Sequence, residues 1–149
     1  MTSISFDVLG PPMALKRPRT RIARPKSGKD FIQHYEDKPV TEWKVKCREE
    51  CRREMDLRGI TQPLQGALSI VILARFPCRK SRMRKTKPAP ELRHDRKPDA
   101  SNVLKIVEDA LNGLAYIDDS QIAQVRVEKW ECAQDLNRPI VIVSVFHCK

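Results

Sequence analysis

Residues 67–76 (ALSIVILARF) constrain the fold more than any other stretch of this 149-residue chain. They are apolar at both alternating positions and rich in β-branched side chains. That is the pattern of a strand in the middle of a sheet, since an edge or half-exposed strand would alternate with polar residues. Pro77 stops the run. Other segments can supply its neighbours. Ile4, Phe6 and Val8 alternate with Ser3, Ser5 and Asp7, which predicts a strand over 3–9 that Gly10-Pro11-Pro12 ends. Two further strands are predicted near 121–130, with Ala123, Val125 and Val127 on one face, and near 140–146, which is strongly β-branched.

Two helices separate these strands. Trp43, Cys47, Cys51 and Met55 recur every four residues, which predicts an amphipathic helix from a cap at Thr41 to a stop at Gly59. A second helix is predicted over 101–112, with Val103, Leu104, Val107, Ala110, Leu111 and then Leu114 as its buried stripe. The order is β-α-β-α-β-β, with no internal repeat, low-complexity tract or domain boundary. The expectation is one α+β domain over residues 1–149, a mixed sheet with two helices.

Two basic stretches complete the chain. Residues 10–39 carry Lys16, Arg17, Arg19, Arg21, Arg24, Lys26 and Lys29. Residues 78–97 carry Arg79, Lys80, Arg82, Arg84, Lys85, Lys87, Arg93, Arg96 and Lys97, with Pro88 and Pro90 among them. Both are expected to be surface loops, the first with a short irregular strand at most and the second mobile. The formal net charge is +10, which favours a polyanionic partner. Nucleic acid ranks ahead of a membrane because no basic amphipathic helix and no spanning run is present. The opening MTSISFDVLG is too short and polar for a signal peptide, so a cytoplasmic protein is expected. The odd number of cysteines, five without a C-x-x-C, fits reduced thiols rather than disulfides or a zinc site. With two Trp, two Tyr and four Phe, base-stacking recognition of single strands is disfavoured, and an RNA-binding or ribosome-associated role explains the charge alone.

The acidic residues that matter flank the second helix. Asp99, beside Pro98, precedes its start, and Asp118-Asp119 follow its end and precede a strand. Carboxylates at such element ends are ligands for a hard cation, and magnesium takes one or two of them together with phosphate oxygens. Such an ion can activate water and stabilise charge at a phosphodiester, with Lys105 adding a nearby cation. The plain alternatives are a solvated Asp-Asp turn, an Asp99 that merely favours the helix dipole, and an ordinary exposed Lys105 with Asp109 four residues on.

Residues 97–121 (KPDASNVLKIVEDALNGLAYIDDSQ) resemble the signature of the RusA family of Holliday junction resolvases. In that signature a Pro-Asp pair, a second aspartate with an asparagine, and a lysine open a helix. Asp-Ala-Leu, a glycine and Asp-Asp-x-Gln follow. Gly10–Arg19 (GPPMALKRPR) is similar to the family's early glycine-proline and Arg-Pro-Arg segment. The resemblance implies a magnesium-dependent (or manganese-dependent) endodeoxyribonuclease of recombination and repair. It would cut four-way junctions and other branched DNA as a homodimer, without a small-molecule cofactor. It places catalytic roles on Asp99, Lys105 and Asp119, metal contacts on Asp99, Asp119, Asp118 and Ser101, and supporting roles on Asn102 and Asp109. DNA contacts fall on Arg17, Arg19, Arg79, Lys80, Arg82 and Lys97. One departure stands out. Ser101 occupies the position of the family's second aspartate, which keeps helix capping but removes a charged ligand. The resemblance therefore also allows a branched-DNA-binding protein whose catalysis is weakened or lost.

Overall fold

The computed structural model describes residues 2–149. Its strands are β1 (Ser3–Leu9), β2 (Arg19–Ala23), β3 (Phe31–Tyr35), β4 (Leu68–Phe76), β5 (Leu92–Arg93), β6 (Ile122–Glu131) and β7 (Ile140–His147), and its helices are α1 (Lys38–Leu57) and α2 (Ala100–Leu111). Five strands form a mixed sheet in the order β1-β7-β4-β6-β5. β4 is its middle strand, antiparallel to β7 and parallel to β6. The parallel pair is possible because α2 carries the chain back between them, as parallel neighbours require.

The doubly apolar run of β4 resolves into two environments. Leu68, Ile70, Ile72, Ala74 and Phe76 are buried against the helices, whereas Val71 and Leu73 on the other face are half-buried. α1 buries the expected stripe of Trp43, Cys47, Cys51 and Met55, with Val40 added. α2 buries Val103, Ile106, Val107, Ala110 and Leu111. Ile106 takes the deep position expected of Leu104, which is only half-buried. All five cysteines are free thiols and four are buried, and burial holds the Cys47 and Cys51 thiols well above their ordinary value.

Several boundaries differ from expectation. α1 begins at Lys38 rather than at a Thr41 cap. Pro39 sits in its first turn, where the missing N–H costs nothing, and Asp37 is the N-cap residue. Thr41 instead donates to Glu36 Oε2 at 3.1 Å. The first basic stretch contains a hairpin, β2 paired antiparallel with β3. α2 begins at Ala100 with Asp99 as N-cap, so Ser101 lies inside the first turn and is not the cap. Val125 and Val127 pair with the buried Ile70 and Ile72 on the helix-side face, Val127 packing against the core while Val125 is exposed; Ala123, also exposed, falls at a register shift and has no partner on β4.

No helix among the described residues is long and apolar enough to cross a membrane.

Candidate active site

α2 is the spine of the site. Lys105, on its exposed side, reaches Asp119 Oδ2 at 3.1 Å, Asp109 Oδ1 at 3.5 Å and Glu108 Oε2 at 4.0 Å. One ammonium thus sits among three carboxylates, two from its own helix and one from the turn before β6. The hydrogen bond to Asp119 raises the Lys105 pKa above its ordinary value, with Asp109 and Glu108 adding to the effect, so this lysine stays charged in any neutral solution. Glu108 is pushed up by burial and by the neighbouring Asp119 and Asp109, against the pull of Lys105. The cluster continues through Lys44, which lies 3.7 Å from Asp109 and 2.6 Å from Glu36. Sequence reasoning missed Glu108 and Lys44. The spacing of Glu108 from Lys105 placed both on one helix side, whereas nothing in the sequence placed α1 against this side of α2.

The Asp118-Asp119 pair is divided by local geometry. Asp118 accepts hydrogen bonds from the backbone N–H and the hydroxyl of Ser120, which hold its carboxyl below the usual range. It caps the short 3-10 turn Asp119–Gln121. Asp119 is left to face Lys105. Gln121 locks the turn in place. Its Oε1 accepts from the N–H groups of Ile117 (2.8 Å) and Asp118 (3.2 Å), and its Nε2 donates to the carbonyls of Leu64 (3.0 Å) and Gly66 (3.1 Å). The side chain therefore ties the acidic turn to the segment entering β4. Gln121→Ala is expected to destabilise the fold by about 1–3 kcal/mol, because four backbone groups lose a partner. It should also loosen Asp119. Urea unfolding and amide exchange at Ile117 and Asp118 check this, and unchanged exchange there would show that the glutamine is dispensable.

At the other end of α2, Lys97 Nζ grips both carboxylate oxygens of Asp99 at 2.8 Å. The approach to Asp99 is held from β6, where Lys129 Nζ donates to the carbonyls of Arg96 and Pro98, each at 2.7 Å. The early segment also packs here, since Leu15 N–H donates to Asn102 O at 3.0 Å. Ser101 is exposed and makes no side-chain hydrogen bond among the described residues. The structure thus brings Lys105 together with Asp119 and Asp109. Asp99 pairs with Lys97 and Asp119 with Lys105, no ion-pairing cation is shared by the two aspartates among the described residues, and no group of three or more acidic, His or Cys side chains there is spaced to hold a metal. The donor chemistry still suits magnesium, which needs only one or two carboxylates and completes its shell with water and phosphate. Asp99 and Asp119 are all-oxygen donors on open surface, their side chains 51% and 33% exposed.

The basic residues separate into held and free. Glu131, at the end of β6, is fully buried. Its Oε1 accepts from the Arg79 N–H at 3.0 Å and from Arg82 Nη1 at 2.7 Å, and Arg79 Nε lies 2.7 Å from its Oε2. Burial by itself would raise this carboxyl, but the two arginines bring it below its ordinary range. Arg79 and Arg82 therefore organise the second basic stretch around a buried carboxylate. Arg82 also donates to Pro90 O, and His94, stacked on Phe76 with ring centroids 4.1 Å apart, bonds Lys97 O at 3.2 Å. This stretch, expected to be a mobile loop, carries a 3-10 turn, the short β5 and these fastenings. Lys80, Arg84, Lys85 and Lys87 are exposed and form no ion pair among the described residues. In the first stretch Arg19 pairs with Asp37 at 3.0 Å, while Arg17 is exposed. A cleft of about 500 Å³ between β1 and α1, lined by Phe6, Lys46 and Leu57 among others, shares no residue with the carboxylate cluster. The cluster is an open surface suited to a polymer rather than an enclosing pocket for a small molecule.

Residues 10–144 match the family model for endodeoxyribonuclease RusA, from the glycine-proline turn to the last strand. The chain belongs to the RusA endodeoxyribonuclease family. It is also 32% identical over 134 residues to a protein of Bacillus subtilis (strain 168) described as uncharacterized protein YqaN, across 87% of this chain and 89% of that one. RusA membership makes a nuclease of branched DNA the class of activity to be tested on these carboxylates.

Proposed function

We propose that this RusA-family chain is a magnesium-dependent endodeoxyribonuclease that hydrolyses phosphodiester bonds at four-way junctions and other branched DNA, acting as a homodimer in the cytoplasm in recombination and repair. The observation that carries the proposal is the Lys105–Asp119 contact on the helix whose N-cap is Asp99. Asp99 and Asp119 would hold the magnesium, with manganese as a substitute. The bound ion supplies an activated water and neutralises charge developing on the phosphate. Lys105 provides a fixed cation beside that phosphate, and its hydrogen bond to Asp119 orients both groups. Asp118 caps the turn and aims Asp119. Lys97, Lys80, Arg17 and Arg19 supply phosphate contacts. Arg79 and Arg82 shape the loop that carries them. Two sites in a symmetric dimer suit two symmetric cuts across a four-way junction.

A second reading, a branched-DNA-binding protein with weakened or lost catalysis, is favoured by one observation. Ser101 stands exposed in the first turn of α2, and among the described residues no carboxylate completes a three-ligand group there. Labelled four-way junction incubated in magnesium or manganese, read on native and denaturing gels together, decides between them. Cutting by the wild type supports the enzyme. Ser101→Asp is expected to cut at least about tenfold faster, because it adds a carboxylate where the cation needs one. Binding without cutting by both proteins would overturn the enzyme and leave the binding protein. Cutting by Ser101→Asp alone would identify a resolvase scaffold that is switched off.

Affinity for DNA should fall steeply with salt as phosphate contacts release counterions. Replacing Lys80, Arg84, Lys85 and Lys87 together by alanine is expected to flatten the slope of log affinity against log salt by up to about four contacts' worth. An unchanged slope would mean that this loop faces solvent and not DNA.

A further inference from the structure

The β2–β3 hairpin stands apart from the main sheet, and every residue in its two strands except Ala23 and Gln33 is exposed. None of its apolar side chains joins the core. Its Ile and Phe side chains gather in two neighbouring cross-strand pairs next to the tip, Ile22 opposite Ile32 and Ala23 opposite Phe31. Successive residues of a strand point to opposite faces, so these two pairs lie back to back. Ile22, Ile32 and Phe31 are 62%, 68% and 53% exposed. A ribbon that served only the fold would bury one face and wet the other. This one carries an uncovered apolar band on both.

Charge decides what such a band meets. Towards the root it is flanked by Arg19 and by Arg21, which lies over the Tyr35 ring at 5.5 Å and donates to Gln33 Oε1 at 2.8 Å. At the tip it is flanked by Arg24, Lys26 and Lys29, with Asp30 paired to Arg24. Residues 19–35 thus hold five cations against one carboxylate. That balance repels a second ribbon of the same kind and attracts phosphate. The root is fastened beside the candidate active site on both of its strands. Before β2, Leu15 N–H donates to Asn102 O in the first turn of α2, and Arg19 pairs with Asp37. After β3, Glu36 pairs with Lys44, which also faces Asp109 of the Lys105 cluster. Five strand residues reach about 17 Å, roughly five base steps, so the band can stand only a few steps from a phosphate bound at the site.

We propose that the β2–β3 hairpin is a wedge for the branch point of the DNA: Ile22, Ile32 and Phe31 enter between base pairs where strands exchange, and the flanking cations hold the phosphates on either side. Proteins that kink DNA part a base step with apolar side chains of this kind. The parted pairs offer apolar surface above and below the wedge, and the ribbon is apolar on both faces. At a branch the stack is already interrupted by strand exchange, so parting it there costs less than within an arm. The ribbon therefore selects structure and not sequence. The inference rests on the branched-DNA reading and adds where the branch is recognised. Its test is run in EDTA, so it is decided apart from cutting.

A four-way junction carrying 2-aminopurine beside the branch is expected to brighten at least about threefold when the wild-type chain binds it, and one carrying that base in mid-arm is not. Ile22→Thr/Ile32→Thr keeps β-branched residues in both strands and leaves every charge in place. It should lose the brightening and about tenfold in junction affinity, while its affinity for linear duplex and its salt slope hold. Should that protein fail to fold, Phe31→Ser on the opposite face of the ribbon makes the same test. A wild type that prefers junctions to duplex without any brightening overturns the wedge and leaves the branched-DNA reading standing. So does a folded variant that keeps the full preference, or one whose mass in sedimentation changes in place of its preference, which would give the band to a protein contact. A wild type that binds junction and linear duplex alike overturns the branched-DNA reading itself, and the wedge with it.

Discussion

Asp119→Asn is expected to abolish cutting of a four-way junction, by at least about a hundredfold, while leaving junction binding intact or tighter. The two effects have one cause. The amide is isosteric, so the turn held by Gln121 and capped by Asp118 should persist. What disappears is a negative charge that would both bind the cation and repel phosphate. Lys105 would then face an amide oxygen and become more available to DNA. Single-turnover cutting and native-gel binding, measured on the same preparation, separate the effects. A variant that still cuts at the wild-type rate would remove Asp119 from the catalytic set. A variant that loses cutting and binding together would point to a misfolded turn.

Glu131→Ala should have the largest effect on stability. The carboxylate is fully buried, and its loss leaves the Arg79 and Arg82 guanidinium groups without a counter-charge and the Arg79 N–H without an acceptor. Removing one partner of a buried ion pair costs about 3–5 kcal/mol. Arg79 and Arg82 are 24% and 17% exposed, so water can solvate them in part. The lower end of the range, about 3 kcal/mol, is therefore expected, a fall in Tm of roughly 6–12 °C for a domain of this size. Glu128→Ala is the control. That carboxylate binds Arg93, Arg126 and the Trp130 N–H near the surface, where ion pairs add little, and its loss should barely move Tm. The pH dependence follows from the depressed Glu131 value. Its contribution is complete above the ordinary carboxylate value of 4.5 and is lost as pH falls through the lower folded-state value. Glu131→Ala should therefore narrow its stability gap to the wild type only in acid. Equal Tm values for Glu131→Ala and the wild type at neutral pH would show that the arginines find other partners.

Short-range patterns were enough for the elements that periodicity governs. The every-fourth-residue stripe of α1 marked its buried face and the doubly apolar run of β4 marked the middle strand of the sheet, because each depends on which neighbours exclude water. The acidic residues at the two ends of α2, and Lys105 between them, were legible from their spacing and their likeness to a family signature. The hairpin inside the first basic stretch was not, since β2 and β3 carry few apolar residues and are held by pairing with each other. Four further features required the folded chain. Asp118 and Asp119 are adjacent and chemically identical, and only the Ser120 and Gln121 hydrogen bonds make one a cap and the other a partner of Lys105. Arg79 and Arg82 read as two more cations in a basic run, until β6 places Glu131 beneath them. Val71 and Leu73 read as core, until the layering leaves their face of the sheet without helices. Glu108 joins the Lys105 cluster only when the turn before β6 brings Asp119 to the same side of α2. Local propensity and periodicity act over a few residues along the chain, so the sequence alone determined the main elements and nominated the chemistry. Charge pairing and burial act through space between segments tens of residues apart, so only the tertiary structure decided which charges are held, which are free, and which apolar surface still lacks a partner.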